Sequence, residues 1–450
     1  MRVVHVTANE NFIVTIMEGN IMNKRRPFLI YFVMLVFLMS STAFAEVNEV
    51  MALKNEIKAL SDRLMVLEKQ LAMREKGPSR ELYVPSPEEG REPGGFLRAA
   101  EDIQFGGYVD AQWNNHFRQP ATASSAAAST VPLRVFDSND GSFSLNAAEL
   151  YFEKAAQEPG DAGFRVDVVF GQDASVVNGD GDGDVVDLEQ AYVEYNVPTP
   201  FFAESEIFPE MVNLKAGRFA TLAGMEVIEA PDNWNISRSV MFGFSLPFIH
   251  TGIRSNFGLF NDFLDVYFGL NNGWDNPIDN NSFKTLESAV GYEPIDGVSV
   301  FHALYWGGEV DDTVAGKRWL LTHVVNWDVT DRLSIAGNVD YGVQHDIQDP
   351  GSALPRTNDG DWWGFAGYAR YQITNKLALA YRAEIFRDDA LFRTGLTDTV
   401  FGQTVTAEYK LSDRLIARAE FRHDKANDDS IFPGAHSAQT NIAAQMIYLI

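Results

Sequence analysis

Cysteine is absent from all 450 residues, which excludes disulfides, thiolate metal sites and a cysteine nucleophile. Basic residues are scarce: 36 Lys and Arg stand against 62 Asp and Glu, a formal charge of −26. Binding to a phosphate backbone needs a basic face, so the balance argues against nucleic acid as a partner. Glycine-rich phosphate motifs are missing, and the eight histidines show no paired spacing suited to zinc. His423-Asp424 has no serine partner in view, and His250 reads as structural. The apolar run Phe28–Met39 is too short for a membrane-spanning helix.

That run has a different logic. Lys24, Arg25 and Arg26 precede it, and Ala43-Phe44-Ala45 follows with small residues at cleavage positions. This is the order of a secretory signal peptide ending at residue 45, with translation expected to start at Met22. Removing residues 1–45 takes away four basic and two acidic groups and leaves 32 against 60, a net charge of −28. Over 46–76, Val50, Leu53, Ile57, Leu60, Leu64, Leu67 and Leu71 recur three and four apart. That spacing predicts a short coiled-coil helix. Residues 77–102 carry Pro78, Pro85, Pro87 and Pro93 among glutamates and read as a linker.

From 103 to 450 the pattern changes to period two. WDVTDRL (327–333) recurs as YQITNKL (371–377) and YKLSDRL (409–415), more loosely as YEPIDGV (292–298). Each copy sets an aromatic residue near a strand end, then a short turn, then a new strand. The Asp or Asn of the turn is expected to bond local backbone. After the second copy Leu377, Leu379, Tyr381, Ala383 and Ile385 share one face, and Arg382 and Glu384 lie on the other. The far connections are long and polar. Short turns at one end, long loops at the other and an apolar/polar alternation predict an all-β transmembrane barrel of antiparallel strands. Sixteen strands are placed near 103–114, 143–153, 163–172, 187–196, 212–219, 249–257, 262–270, 285–292, 298–306, 317–328, 332–343, 362–373, 376–387, 400–410, 414–423 and 440–450. Barrels of that size leave an aqueous channel unless something fills them.

One connection, 220–248, is far longer than a turn requires and is expected to fold inward and narrow the lumen. It holds Glu226, Glu229, Asp232 and Arg238. A second segment, NGDGDGDVVDLE (178–189), fits a twelve-residue calcium loop with Asn178, Asp180, Asp182, Asp184 and Glu189 as ligands. Strands, not helices, are expected on both sides of it. Calcium binding there is expected to be weak at most, and no other cofactor is implied.

Seven words in order resemble the β-barrel porin-2 family, OmpL-like: DLEQAYV (187–193), KAGRF (215–219), GMEVIE (224–229), SRS (237–239), PFIHTG (247–252), NGWD (272–275) and YWGGE (305–309). The resemblance is strongest over 187–308. It implies a Gram-negative outer-membrane porin with no catalytic residues. The long third loop is also similar to that of the general trimeric porins, in which loop acids face basic wall residues. By that likeness Glu226, Glu229 and Asp232 are the loop acids, and Arg370, Arg382 and Arg418 the wall bases. The competing reading pairs these arginines with wall acids such as Glu384 and Glu420; Arg238 is an alternative pin for the loop. Expected partners are outer-membrane lipid, small hydrophilic solutes and ions, and two further copies in a homotrimer, with the 46–76 helix in the periplasm. Mild cation selectivity follows from the acidic balance. Two rivals remain: an adhesin or envelope tether, and an outer-membrane lipase-type enzyme, which would need a serine–histidine set that the sequence does not display.

Overall fold

The computed structural model describes residues 3–7, 13–17, 102–117, 132–177, 185–202, 205–309, 316–345, 359–389, 392–395, 399–427, 431–432 and 436–450. The signal segment 22–45, the 46–76 helix and nearly all of the linker lie outside them. Residues 1–89 and 90–450 form separate units. In the first, β1 (Val3–Thr7) pairs antiparallel with β2 (Ile13–Met17), a hairpin that the sequence reading did not place.

The second unit is a closed barrel of sixteen antiparallel strands. In order they are β3 (Gln104–His116), β4 (Ser142–Lys154), β5 (Ala162–Phe170), β6 (Val186–Pro198), β7 (Met211–Ala220), β8 (Ile249–Leu259), β9 (Leu264–Asn271) and β10 (Thr285–Ile295). They continue as β11 (Val298–Gly308), β12 (Lys317–Thr330), β13 (Leu333–Gln344), β14 (Gly360–Gln372), β15 (Leu377–Asp388), β16 (Thr399–Lys410), β17 (Leu415–Ala426) and β18 (Ala438–Leu449). β18 closes the ring on β3, with Leu449 opposite Tyr108 and Asn441 opposite His116. All sixteen coincide with the segments read from the sequence, shifted by a few residues at their ends.

Alternation explains the two surfaces. In β15 Leu379 and Tyr381 are exposed, while Arg382, Glu384 and Asp388 are buried inside. β16 and β17 repeat this with Phe401, Val405, Tyr409 and Phe421 outside and Thr404, Thr406, Glu420 and Arg422 inside. An apolar exterior around a polar interior is the arrangement lipid demands, because every strand hydrogen bond is closed within the ring. Trp327, Tyr371, Tyr409 and Tyr448 stand exposed at the short-turn rim, where aromatic girdles sit. The repeated turn is held by its hydroxyl, not by its Asp or Asn. Thr330 Oγ1 accepts from Arg332 N and Leu333 N, Thr374 Oγ1 from Lys376 N and Leu377 N, and Ser412 Oγ from Arg414 N. The repeated Thr/Ser is therefore the structural letter of the motif.

Among the described residues two short α-helices sit in long connections: α1 (Gln172–Val177) after β5 and α2 (Val240–Ser245) before β8. The first corrects the expectation that only strands flank the 178–189 run. It forms because Asp173, Ala174 and Val177 bury one face against the barrel interior. The main apolar cluster also lies inside the ring. It joins Phe136 of the first long connection, Val240, Met241 and Phe242 of α2, and Trp274 and Trp362 at the long-loop rim.

Candidate functional site

The connection from Thr221 to Phe248 leaves the wall between β7 and β8 and reaches the opposite side. Its first anchors are backbone amides held by inward wall side chains. Leu222 N donates to Tyr305 Oη at 2.9 Å, and Met225 N to Asn338 Oδ1 at 2.9 Å. Further along, Asn235 Nδ2 donates to Thr406 Oγ1 at 2.7 Å. Glu420 Oε2 accepts from Ile236 N at 2.6 Å, and Glu420 Oε1 from Ser237 N at 3.1 Å. Trp362 Nε1 donates to Ser245 O at 3.0 Å, near the loop's return. These partners come from β11, β13, β14, β16 and β17, so the loop crosses the interior at the level of its contacts. Period-two alternation aims each of them inward.

Arginines complete the attachment. Arg382 donates to Glu226 Oε1 at 2.6 Å and to Thr404 Oγ1 at 3.1 Å. Arg418 donates to Ala230 O at 2.9 Å and Pro231 O at 3.1 Å, and pairs with Glu408 at 2.8 Å. Arg422 donates to Arg238 O at 2.6 Å and pairs with Glu384 at 3.1 Å and Asp424 at 2.8 Å. The other oxygen of Glu226 accepts from Ser239 N at 2.8 Å, and Ser239 in turn caps α2 through Phe242 N at 2.9 Å. Arg238 turns back on its own loop, donating to the carbonyls of Val227, Ile228 and Ile236, with its guanidinium 4.9 Å above the Phe136 ring. It staples the loop to itself, not to the wall.

Of the residues singled out from the sequence, the structure therefore joins Glu226 to Arg382 and seats Arg418 against loop carbonyls. Arg370 pairs with Glu408 at 2.9 Å and touches no loop acid. Glu229 and Asp232 find no arginine partner among the described residues, and Asp232 is exposed. Ala230 N donates to Tyr108 Oη at 3.4 Å, and Tyr108 lies opposite Glu149 in the β3–β4 register. Glu229 is thereby held over the β4–β6 wall. There it comes within electrostatic reach of Glu149, Asp167 and Glu189. Burial, with Asp232 and Asp167 nearby, holds the Glu229 carboxyl above its ordinary range.

Sequence reasoning missed this acidic wall. Among the described residues neither oxygen of buried Glu189 has a hydrogen-bond partner, nor do Glu149 Oε2, Asp173 Oδ2 and Asp110 Oδ1. Asp167 is partnered, by Arg165 Nε at 2.9 Å and Gln190 Nε2 at 2.6 Å. The signal was present in the alternation of 142–154 and 186–198, but a β-bulge at Asp167/Val168 shifts the register and hides the inward face. Asn178, Asp180, Asp182 and Asp184 lie outside the described residues; Glu189 lies in β6 with its carboxylate buried in the interior. Among the described residues no group of three or more His, Asp or Glu is arranged to hold a metal ion. His250 is structural, its Nδ1 lying 3.2 Å from Glu287 Oε2 beside Arg254.

Known proteins place this architecture. No curated protein sequence matches the chain. Among solved structures, the outer membrane channel DcaP of Acinetobacter baumannii is 14% identical, covers 77% of this chain and 97% of its own, and gives a TM-score of 0.50. Pseudomonas putida OprB is 10% identical over 79% of this chain and 96% of its own, also at 0.50. OmpT of Vibrio cholerae in its trimer form is 12% identical over 77% and 99%, again at 0.50. At such identities these show the fold alone. The family model described as putative beta-barrel porin-2, OmpL-like, matches residues 102–450, and the chain belongs to that family of outer-membrane porins.

Proposed function

We propose that the protein passes small hydrophilic solutes and ions down their gradients through a lumen narrowed by loop 221–248, with mild preference for cations. The observation that carries this reading is the loop itself, tied to inward wall side chains from Leu222 near its start, through Ile236 on the far wall, to Ser245 near its return. Within the loop, Glu226 is neutralised by Arg382, so selectivity rests on Glu229, Asp232 and the β4–β6 acids facing them. Acids lining a constriction of low dielectric constant concentrate cations, and the preference fades with salt as the screening length shrinks to roughly 3 Å at 1 M. The transport needs no catalytic step.

The working unit in this reading is a homotrimer in the outer membrane. Two features support it: the unbroken apolar seam of the 46–76 helix, which would sit in the periplasm, and the trimer form of the similar OmpT. Cross-linking in mild detergent checks it, a purely monomeric species being the contrary result. Calcium at 178–189 is a weak site in this view, to be read by terbium luminescence lost in Asp180→Ala with Asp182→Ala. Planar-bilayer recording tests the central claim. Deleting 225–236 is expected to raise single-channel conductance; unchanged conductance would remove the loop from the pathway.

A further inference from the structure

The long-loop rim holds a second arrangement, in which the surplus is of donors. Arg318 stands near the start of β12, Trp274 in the connection after β9, and Arg393 in the connection after β15. The Arg318 guanidinium carbon lies 4.5 Å from the Trp274 ring centre and 5.0 Å from that of Phe392. That of Arg393 lies 4.9 Å from the same indole and 5.6 Å from Trp362. Two like charges thus share one aromatic surface. Among the described residues neither has a carboxylate within ion-pair distance. Arg318 uses only its Nε, on Gln344 Oε1 at 2.9 Å, and Arg393 only its Nε, on Phe244 O at 2.6 Å.

The neighbouring acids are already engaged. Asp275 Oδ1 accepts from Phe248 N at 2.7 Å and Ile249 N at 2.9 Å. Glu309 accepts from Trp274 N at 2.9 Å and from the Thr285 hydroxyl. Asp388 accepts from the amides of Phe392, Arg393 and Thr394. Among the described residues three sets of donors therefore have no protein acceptor: both Nη groups of Arg318, both of Arg393, and Trp274 Nε1, the last of them buried. Burial pushes the Arg393 guanidinium below its ordinary range, against the opposing pull of Asp275, Asp388 and Glu309 nearby.

We propose that this rim site binds the carboxylate of an organic acid entering from the long-loop side. A carboxylate is flat and offers two oxygens at the spacing of a guanidinium edge, so it accepts paired N–H bonds. The aromatic surround disfavours strongly hydrated phosphate or sulfate and accommodates a carboxylate on an apolar body. The site adjoins the constriction, since Trp362 and Arg393 also hold the carbonyls of Ser245 and Phe244, but the guanidinium edges that would take the carboxylate lie on β12 and on the connection after β15. It rests on the porin reading only for access to the rim.

Equilibrium binding of radiolabelled benzoate to the full-length protein in detergent tests it directly. Benzoate is expected to bind, with phosphate and sulfate displacing it poorly. Arg393→Gln should weaken it about tenfold, the value of one charge-assisted hydrogen-bond pair. On the wild-type protein, benzoate should also shield Arg318 and Arg393 from phenylglyoxal, a readout independent of whether any variant folds. Equal binding in wild type and a folded Arg393→Gln variant, no protection, or equal displacement by phosphate would overturn the proposal. Bilayer recording separates the two readings: potassium chloride conductance without benzoate binding refutes the rim site alone, whereas binding without conductance refutes the porin pathway alone.

Discussion

The interior has two sides built on the same strand pattern but treated oppositely. Along β15–β17, Arg382, Arg418 and Arg422 meet Glu226, Glu384, Glu408 and Asp424, and the surplus donors close on loop carbonyls. Along β4–β6, Glu149 and Glu189 keep oxygens with no partner, and Glu229 is brought over them by the loop. A buried ion pair adds little net stability, but losing one member leaves a charge that is costly to bury. The first side is therefore an attachment surface, intolerant of change. The second is an acidic surface whose carboxyls are not used for attachment.

That contrast is best broken by single substitutions. Arg382→Met strands Glu226, while Glu384 keeps Arg422, and is expected to cost about 3–5 kcal/mol, visible as a lower unfolding temperature in detergent and as noisy, enlarged conductance. Glu189→Gln on the other side removes a buried carboxyl with no hydrogen-bond partner among the described residues and should leave the unfolding temperature unchanged or higher. Equal losses in both variants would erase the distinction between the sides.

Selectivity sharpens the comparison next. Glu229→Gln with Asp232→Asn should move the zero-current potential in a potassium chloride gradient toward anions. Glu226→Gln should move it little while loosening the loop, because its charge is already met by Arg382. A larger shift from Glu226→Gln would place the selective charge on the attachment side.

A smaller effect is expected from pH. Burial holds the carboxyls of Glu229 and Asp173 above their usual range, the second strongly. A carboxyl with a raised folded-state pKa contributes stability that is fully present below its unfolded value and is lost as pH rises through the folded one. Ionisation of Glu229 should therefore relax loop seating on the alkaline side, while cation preference moves the other way. Thermal unfolding and zero-current potential, each followed against pH, check the two opposite trends; Glu229→Gln should flatten the second and lessen the first, Asp173 keeping the remainder. The smallest change is Ser239→Ala, which removes the cap of α2 at a cost of about 1 kcal/mol without altering selectivity.

How much of this was legible differs by element. The barrel wall was readable because its apolar and polar faces alternate residue by residue, as in 377–388, and because the turn motif marks the short-turn rim three times over. The hydroxyl that holds that motif was not, since Thr330 and Asp331 are both competent turn formers on paper. The length of 220–248 marked an unusual loop, yet spacing could not say which arginine would meet which acid. Arg382 finds Glu226, more than a hundred positions away, while Arg370, on the same kind of face, finds only Glu408.

Local order in the sequence determined strand number, faces and the two unlike rims, because side-chain period and turn chemistry act between neighbours along the chain. Partner choice was decided by closure of the ring. Only when β18 meets β3 do β4–β6 and β15–β17 come within two strands of one another, where the loop can reach both. The physical reason is one of range. A strand's alternation is settled within a few residues, whereas pairing a buried charge depends on groups that the chain brings together only when the fold is complete.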